Sequence, residues 1–231
     1  WWFLEPLLWV AVFYLVFNVI LDFQGRAGSE FILFLACGKF AFIWFSKTVT
    51  QASNSIVGNK SLVSKIDVPK SMFPMAVVQQ SLYRQASVYV CLFVILAAFG
   101  TPITMAWLWL LPVLFVNYLL IVACSFVGAY LVCLVRDISQ LIPLGMMFLL
   151  FTSGIFWDIR SIGSPEKEEL ILALNPLAFL LDAHRQVLLH QTMPDLVHLF
   201  YIAVGAALLS LVMLGLMRKN NQSLALKVLT S

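Results

Sequence analysis

Apolar blocks of about 20 residues or more recur along this chain, and they constrain what it can fold into more than any motif does. The chain has 231 residues, of which 62% are hydrophobic and 11% charged. Soluble domains run at roughly 45–50% apolar and about 25% charged. No water-soluble fold of one or two domains hides so much apolar surface, so a soluble monomer is excluded. The blocks run continuously rather than alternating with polar residues, which points to an all-α integral membrane protein.

Polar connections separate six expected transmembrane helices: Glu5 to Leu21, Phe31 to Asn54, Met72 to Phe99, Met105 to Val135, Ile138 to Trp157 and Leu196 to Met217. Taken alternately, the connections 59–71, 136–137 and 218 to the end carry seven Lys/Arg and two acids, whereas the other set carries four Lys/Arg and eight acids. Excess Lys/Arg marks the cytoplasmic side. The first set is therefore expected inside, with both termini. The net charge of +3 is a topology signal rather than a nucleic-acid footprint. No internal repeat or low-complexity linker divides the chain, so residues 1–231 read as one membrane domain.

The segment from Leu170 to Leu189 breaks the alternation. It is apolar enough to enter lipid, yet it contains Asn175-Pro176, Asp182, His184 and Arg185. A full crossing would carry the basic C-terminus outside, against the charge rule. A re-entrant helical hairpin on the outer side, before the last span, accommodates both facts. Non-helical backbone at that depth needs protein or a wet cavity around it. Asn175, Pro176, Asp182 and Arg185 are thus candidate outer-gate residues, the alternative being a helix lying flat on the outer leaflet.

Ionisable side chains inside spans are expensive and face a bundle interior or a watery path. Lys39 and Lys47 fall in the second span and Arg84 in the third. Lys47, Thr50, Gln51 and Asn54 share one helical face. On the first span Trp2, Trp9, Phe13 and Phe17 form an aromatic stripe suited to stacking on sugar rings, although interfaces and cores also collect aromatics. The candidate substrate path is therefore Trp9, Phe13, Phe17, Lys47, Thr50, Asn54 and Arg84, against the simpler role of helix-to-helix glue. The four cysteines lie in apolar blocks and read as small buried hydrophobes. Motifs for catalysis and nucleotide binding are missing from the sequence: no G-x-x-x-x-G-K-S/T loop, no G-x-S-x-G and no H-E-x-x-H. No catalytic residue, metal ligand or cofactor is assigned to the chain, and His184 and His190 are spaced poorly for a shared metal.

Four stretches in order, WWFLEPLL, GKFAFIWFSKTVTQASNSIVGNKSLVSKIDVPKSMFP, VRDISQLIP and LNPLAFLLDAHR, resemble the signatures of ABC-2 type permeases. Within that family the likeness is to membrane subunits that export lipid-linked O-antigen, capsular or teichoic acid polysaccharides. The resemblance implies a homodimer in the bacterial inner membrane with two copies of a separate ATPase, which carries ATP and Mg. It implies a glycan on a polyprenyl diphosphate lipid as cargo, and no nucleic acid. It maps ATPase coupling onto the loop from Asn59 to Pro74, through Asn59, Lys60, Lys65, Pro69, Lys70 and Pro74. It also implies a cytoplasmic helix ahead of Trp1, beyond this sequence. The rival readings are an ABC-2 exporter of a small amphiphile or drug, a membrane-embedded lipid-modifying enzyme and a passive channel.

Overall fold

The computed structural model describes residues 4–16, 26–65 and 68–230, and among them there is no strand. The helices in chain order are α1 (Leu4–Phe13), α2 (Arg26–Ser53), α3 (Ser55–Gly58), α4 (Lys60–Lys65), α5 (Met72–Ala98), α6 (Leu110–Leu134), α7 (Ile138–Thr152), α8 (Pro165–Leu174), α9 (Pro176–Arg185), α10 (Leu196–Lys219) and α11 (Asn221–Thr230). A 3-10 turn, Met105–Trp109, leads into α6, and a π-helical segment, Gln186–His190, prolongs α9.

Among the described residues four helical stretches are long and apolar enough to cross a membrane: Glu30–Ser53, Met72–Ala98, Met105–Leu134 and Leu196–Lys219, of 24, 27, 30 and 24 residues. At about 1.5 Å per residue each exceeds the roughly 30 Å hydrocarbon core. The two other expected spans correspond to shorter apolar helices, Leu7–Val16 and Ile138–Thr152. Residues 17–21 of the first lie outside the described residues. The fifth was expected to reach Trp157 but stops at Thr152, because Gly154 takes a left-handed conformation (φ 68°) and a Cβ there would press on Ile159.

Outward-facing apolar side chains are explained by lipid. α10 buries Leu199, Ala206, Met213 and Met217, one stripe at helical spacing, while Phe200, Leu208 and Leu211 stay exposed. α5 buries Val78, Ser81, Gln85, Tyr89, Leu92 and Leu96 at spacings of three and four, again a single face.

Contacts divide the chain into two compact units. The first comprises Trp1–Phe42, Tyr83–Leu114 and Leu150–Leu196. In it Ala36, Cys37 and Phe40 of α2 pack with Tyr89, Leu92 and Leu96 of α5 and with Val187 and Leu188 beyond α9. The second comprises Ile43–Leu82, Phe115–Leu149 and Val197–Ser231. There Trp44 Nε1 donates to Ser81 Oγ (3.2 Å), Tyr118 to Gln79 (3.3 Å), and Gly128 of α6 lets Ser53 of α2 approach so closely that a Cβ would collide with it. The connections 100–104 and 158–195 fall in the first unit, and 59–65, 136–137 and 218–230 in the second.

The charge asymmetry gives a topology prediction. A lone cysteine replacing Ser164 in a cysteine-free variant should react with an impermeant maleimide added outside, and one replacing exposed Ser61 should not. Reversed labelling overturns the alternation of spans.

Candidate functional site

The break at Asn175-Pro176 is a built cap. Asn175 Oδ1 accepts from the backbone N–H groups of Leu177 and Ala178 (both 3.1 Å), its Nδ2 donates to Ser153 Oγ (3.0 Å), and Pro176 occupies the first turn of α9, where its missing N–H costs nothing. Beyond this cap every residue of α9 from Leu177 to Arg185 is buried, whereas α8 buries none.

Each polar residue of α9 has partners. Asp182 accepts from Arg160 Nε (3.2 Å) and Nη2 (2.8 Å) and from Gln186 Nε2 (2.6 Å). Those bonds to Asp182 push the Arg160 guanidinium pKa further up from an already high value, so the guanidinium keeps its charge. His184 Nδ1 lies 2.7 Å from the Leu180 carbonyl, which only accepts, so Nδ1 carries the proton. In the neutral ring Nε2 then accepts from Tyr89 Oη at 2.8 Å. Arg185 donates to three carbonyls: from Nε to Phe34 (3.2 Å), from Nη1 to Gly154 (2.7 Å) and from Nη2 to Ile155 (3.1 Å). Its guanidinium also lies 3.6 Å from the Phe34 ring centroid, and Gly38 leaves it room, since a Cβ there would collide with Nη2. The cation therefore fastens α9 to α2 and to the turn after α7.

The Arg160–Asp182 pair has an asymmetric consequence. The Asp182 side chain is 7% exposed and that of Arg160 48%. Arg160→Ala strands a buried carboxylate, whereas Asp182→Ala releases a guanidinium that already reaches water, so Arg160→Ala should lower the thermal unfolding midpoint more. The double variant should recover part of that loss. Equal, additive losses would contradict the pairing.

The candidate path residues divide between the units. Trp9, Phe13 and Arg84 belong to the first, and Lys47, Thr50 and Asn54 to the second. The rings of Trp9 and Phe13 lie 5.9 Å apart at a tilt of 39°, but Phe13 is buried against Ile32 and Leu35 and is a core residue here. Phe17 lies outside the described residues. Arg84 is half-buried on α5. Lys47 and Gln51 are exposed, Thr50 is half-buried, and half-buried Asn54 donates to the Thr50 carbonyl (3.0 Å) at the break between α2 and α3. The polar stripe is thus present on one face of α2.

In the candidate coupling loop Asn59, Lys60, Lys65 and Pro69 are exposed. Lys70 and Pro74 are buried. Pro74 lies inside α5. It sits within the first turn, where backbone N–H groups have no intrahelical acceptor. The Lys70 N–H donates to Asn221 Oδ1 (2.8 Å), and α4 packs against α11, so the loop rests on the C-terminal helix.

The first unit also holds a cleft of about 630 Å³ lined by Glu30, Asp158, His190, Phe31, Phe34 and Phe99 among others. Phe31 and Phe34 stack with centroids 6.1 Å apart. Carboxylates beside aromatic faces suit sugar hydroxyls and the C–H faces of the rings. Sequence reasoning passed over these residues, and also Arg160, Gly38, Tyr89 and Asn221, because each looks ordinary on its own segment and matters only through a partner distant in sequence.

A family model described as ABC-2 type transporter matches residues 1–189. The O-antigen export system permease protein RfbA of Klebsiella pneumoniae is 25% identical over 192 residues, covering 82% of this chain and 72% of the relative. The protein of the same name from Myxococcus xanthus is 23% identical over 209 residues, covering 90% of this chain and 79% of the relative.

Proposed function

This chain belongs to the ABC-2 type transporter family, and from that premise we propose that it is the membrane subunit of an ATP-driven exporter that carries a polyprenyl-diphosphate-linked polysaccharide across the bacterial inner membrane. The observation that carries the reading is the likeness, over more than four-fifths of the chain, to relatives named O-antigen export permeases. Two copies of the chain would form the path, with two copies of a separate ATPase beneath them. Both termini lie in the cytoplasm in this reading. The segregation of the two sets of connections into different units supports that alternation.

In mechanism, the exposed surface of α4, with Lys60, Lys65 and Pro69, receives the ATPase stroke. The contact of α4 with α11 and the bond from Lys70 to Asn221 pass it to the second unit as one body. The stripe of Lys47, Thr50 and Asn54 supplies polar contacts for the headgroup and sugars, with Arg84 as a further cation. The cleft lined by Glu30, Asp158 and the stacked phenylalanines offers sugar-compatible chemistry. The α8–α9 hairpin narrows the exit. Since α9 is buried and pinned by Arg185, α8 is the part free to move.

Deleting the gene in the native bacterium tests the reading. Surface polysaccharide should disappear while its lipid-linked form accumulates inside, and a plasmid copy should restore both. Unchanged surface glycan together with gained sensitivity to small amphiphiles would favour the drug-exporter alternative.

A further inference from the structure

Lys39 is a buried cation of α2, 8% exposed against 5% for Asp182 and 2% for Arg185. Asp182 and Arg185 are held by hydrogen bonds to Arg160, Gln186 and three backbone carbonyls, whereas Lys39 has neither a carboxylate nor a hydrogen-bond acceptor among the described residues. Its ammonium lies 4.6 Å from the ring centroid of Trp9 on α1 and 5.8 Å from that of Phe156, beyond α7.

Two aromatic faces do not replace what this ammonium gave up on leaving water. A cation–π contact contributes less than placing a lysine at mid-membrane costs on insertion scales. None of its three N–H donors meets an acceptor among the described residues. The rings do something a carboxylate would not: they orient the charge without neutralising it, so an incoming anion meets no competitor. Phe156, one of the two flanking rings, is 37% exposed. Apolar ring faces beside a cation also match ligands in which an acidic group adjoins an apolar surface.

We infer that Lys39, flanked by Trp9 and Phe156, is an anion-receiving site for an acidic group of the transported molecule, a phosphate or a carboxylate. The inference rests on the exporter reading for its cargo but not for its binding chemistry. Two sources offer that chemistry: the diphosphate of the lipid carrier, and acidic sugars in the glycan.

The test uses the full permease with its ATPase subunit in nanodiscs, comparing wild type with Lys39→Met and Lys39→Arg. The probes are farnesyl diphosphate and trigalacturonate, with farnesol and galactotriose as uncharged counterparts, and thermal unfolding is followed in parallel. Lys39→Met should raise the unfolding midpoint, because an uncompensated buried charge is removed. It should also weaken binding of an anionic probe by about tenfold or more and leave the uncharged probes unaffected. Lys39→Arg should retain binding. Loss confined to farnesyl diphosphate assigns the site to the carrier, and loss confined to trigalacturonate assigns it to the glycan. The proposal is overturned if Lys39→Met lowers the midpoint, if wild type binds neither anion, or if binding is unchanged. Binding is read without transport, so a failed export assay would remove the exporter reading and leave this one standing.

Discussion

Arg185→Met should cost the protein most of its folded yield. The guanidinium spans carbonyls of Phe34, Gly154 and Ile155 from a site that is 2% exposed, and methionine fills much of the volume while satisfying none of them. A buried polar group left without its partner costs about 1–3 kcal/mol, and the Gly154 and Ile155 carbonyls lie in a turn with no helix ladder to fall back on. The effect is therefore a large fraction of the few kcal/mol by which folds survive. Arg185→Lys should fall between the two, since an ammonium keeps the charge but lacks the fork that reaches three acceptors. Size-exclusion profiles and unfolding midpoints in detergent check this, and a monodisperse Arg185→Met protein with an unchanged midpoint would contradict it.

The other large effect is expected in the proposed coupling loop. Lys60→Glu with Lys65→Glu reverses the charge of an exposed surface that makes no contribution to the core. Export should fall by about tenfold or more, in line with the 2–5 kcal/mol that lost charge pairs cost at interfaces, while the unfolding midpoint stays put. Asn221→Ala acts differently: it removes the acceptor for the Lys70 N–H and should uncouple ATP hydrolysis from export without releasing the ATPase. Normal export by the double charge reversal would refute this loop as the point of contact.

Much of the architecture was legible because lipid simplifies the problem. With the backbone bound to satisfy itself, apolar block length located α2, α5, α6 and α10 to within a few residues, and Asn175-Pro176 marked the break between α8 and α9. α7 ended early for a reason no block length reveals: the backbone beyond Thr152 turns to present two carbonyls to Arg185. Helical periodicity placed Lys47, Thr50 and Asn54 on one face but misjudged Phe13, whose neighbours Ile32 and Leu35 come from another helix. Lys70 and Pro74, mapped to ATPase coupling by the resemblance, are both buried, and Asn221, far along the chain, accepts from the Lys70 N–H. Arg160 carries no signal within its own segment, and only the fold brings it to Asp182. Pairings of this kind carry no local signature.

Transport itself tests the central claim most directly. The permease and its ATPase subunit, reconstituted in proteoliposomes, would be given a fluorescent lipid-linked oligosaccharide on the ATPase side, and its appearance on the far leaflet followed by protection from an added glycosidase. The account predicts accumulation that requires ATP, fails with a nonhydrolysable analogue and is lost in the Lys60→Glu, Lys65→Glu variant. Equal equilibration with and without ATP, or ATP-driven movement of small amphiphiles but not of the lipid-linked glycan, would contradict it.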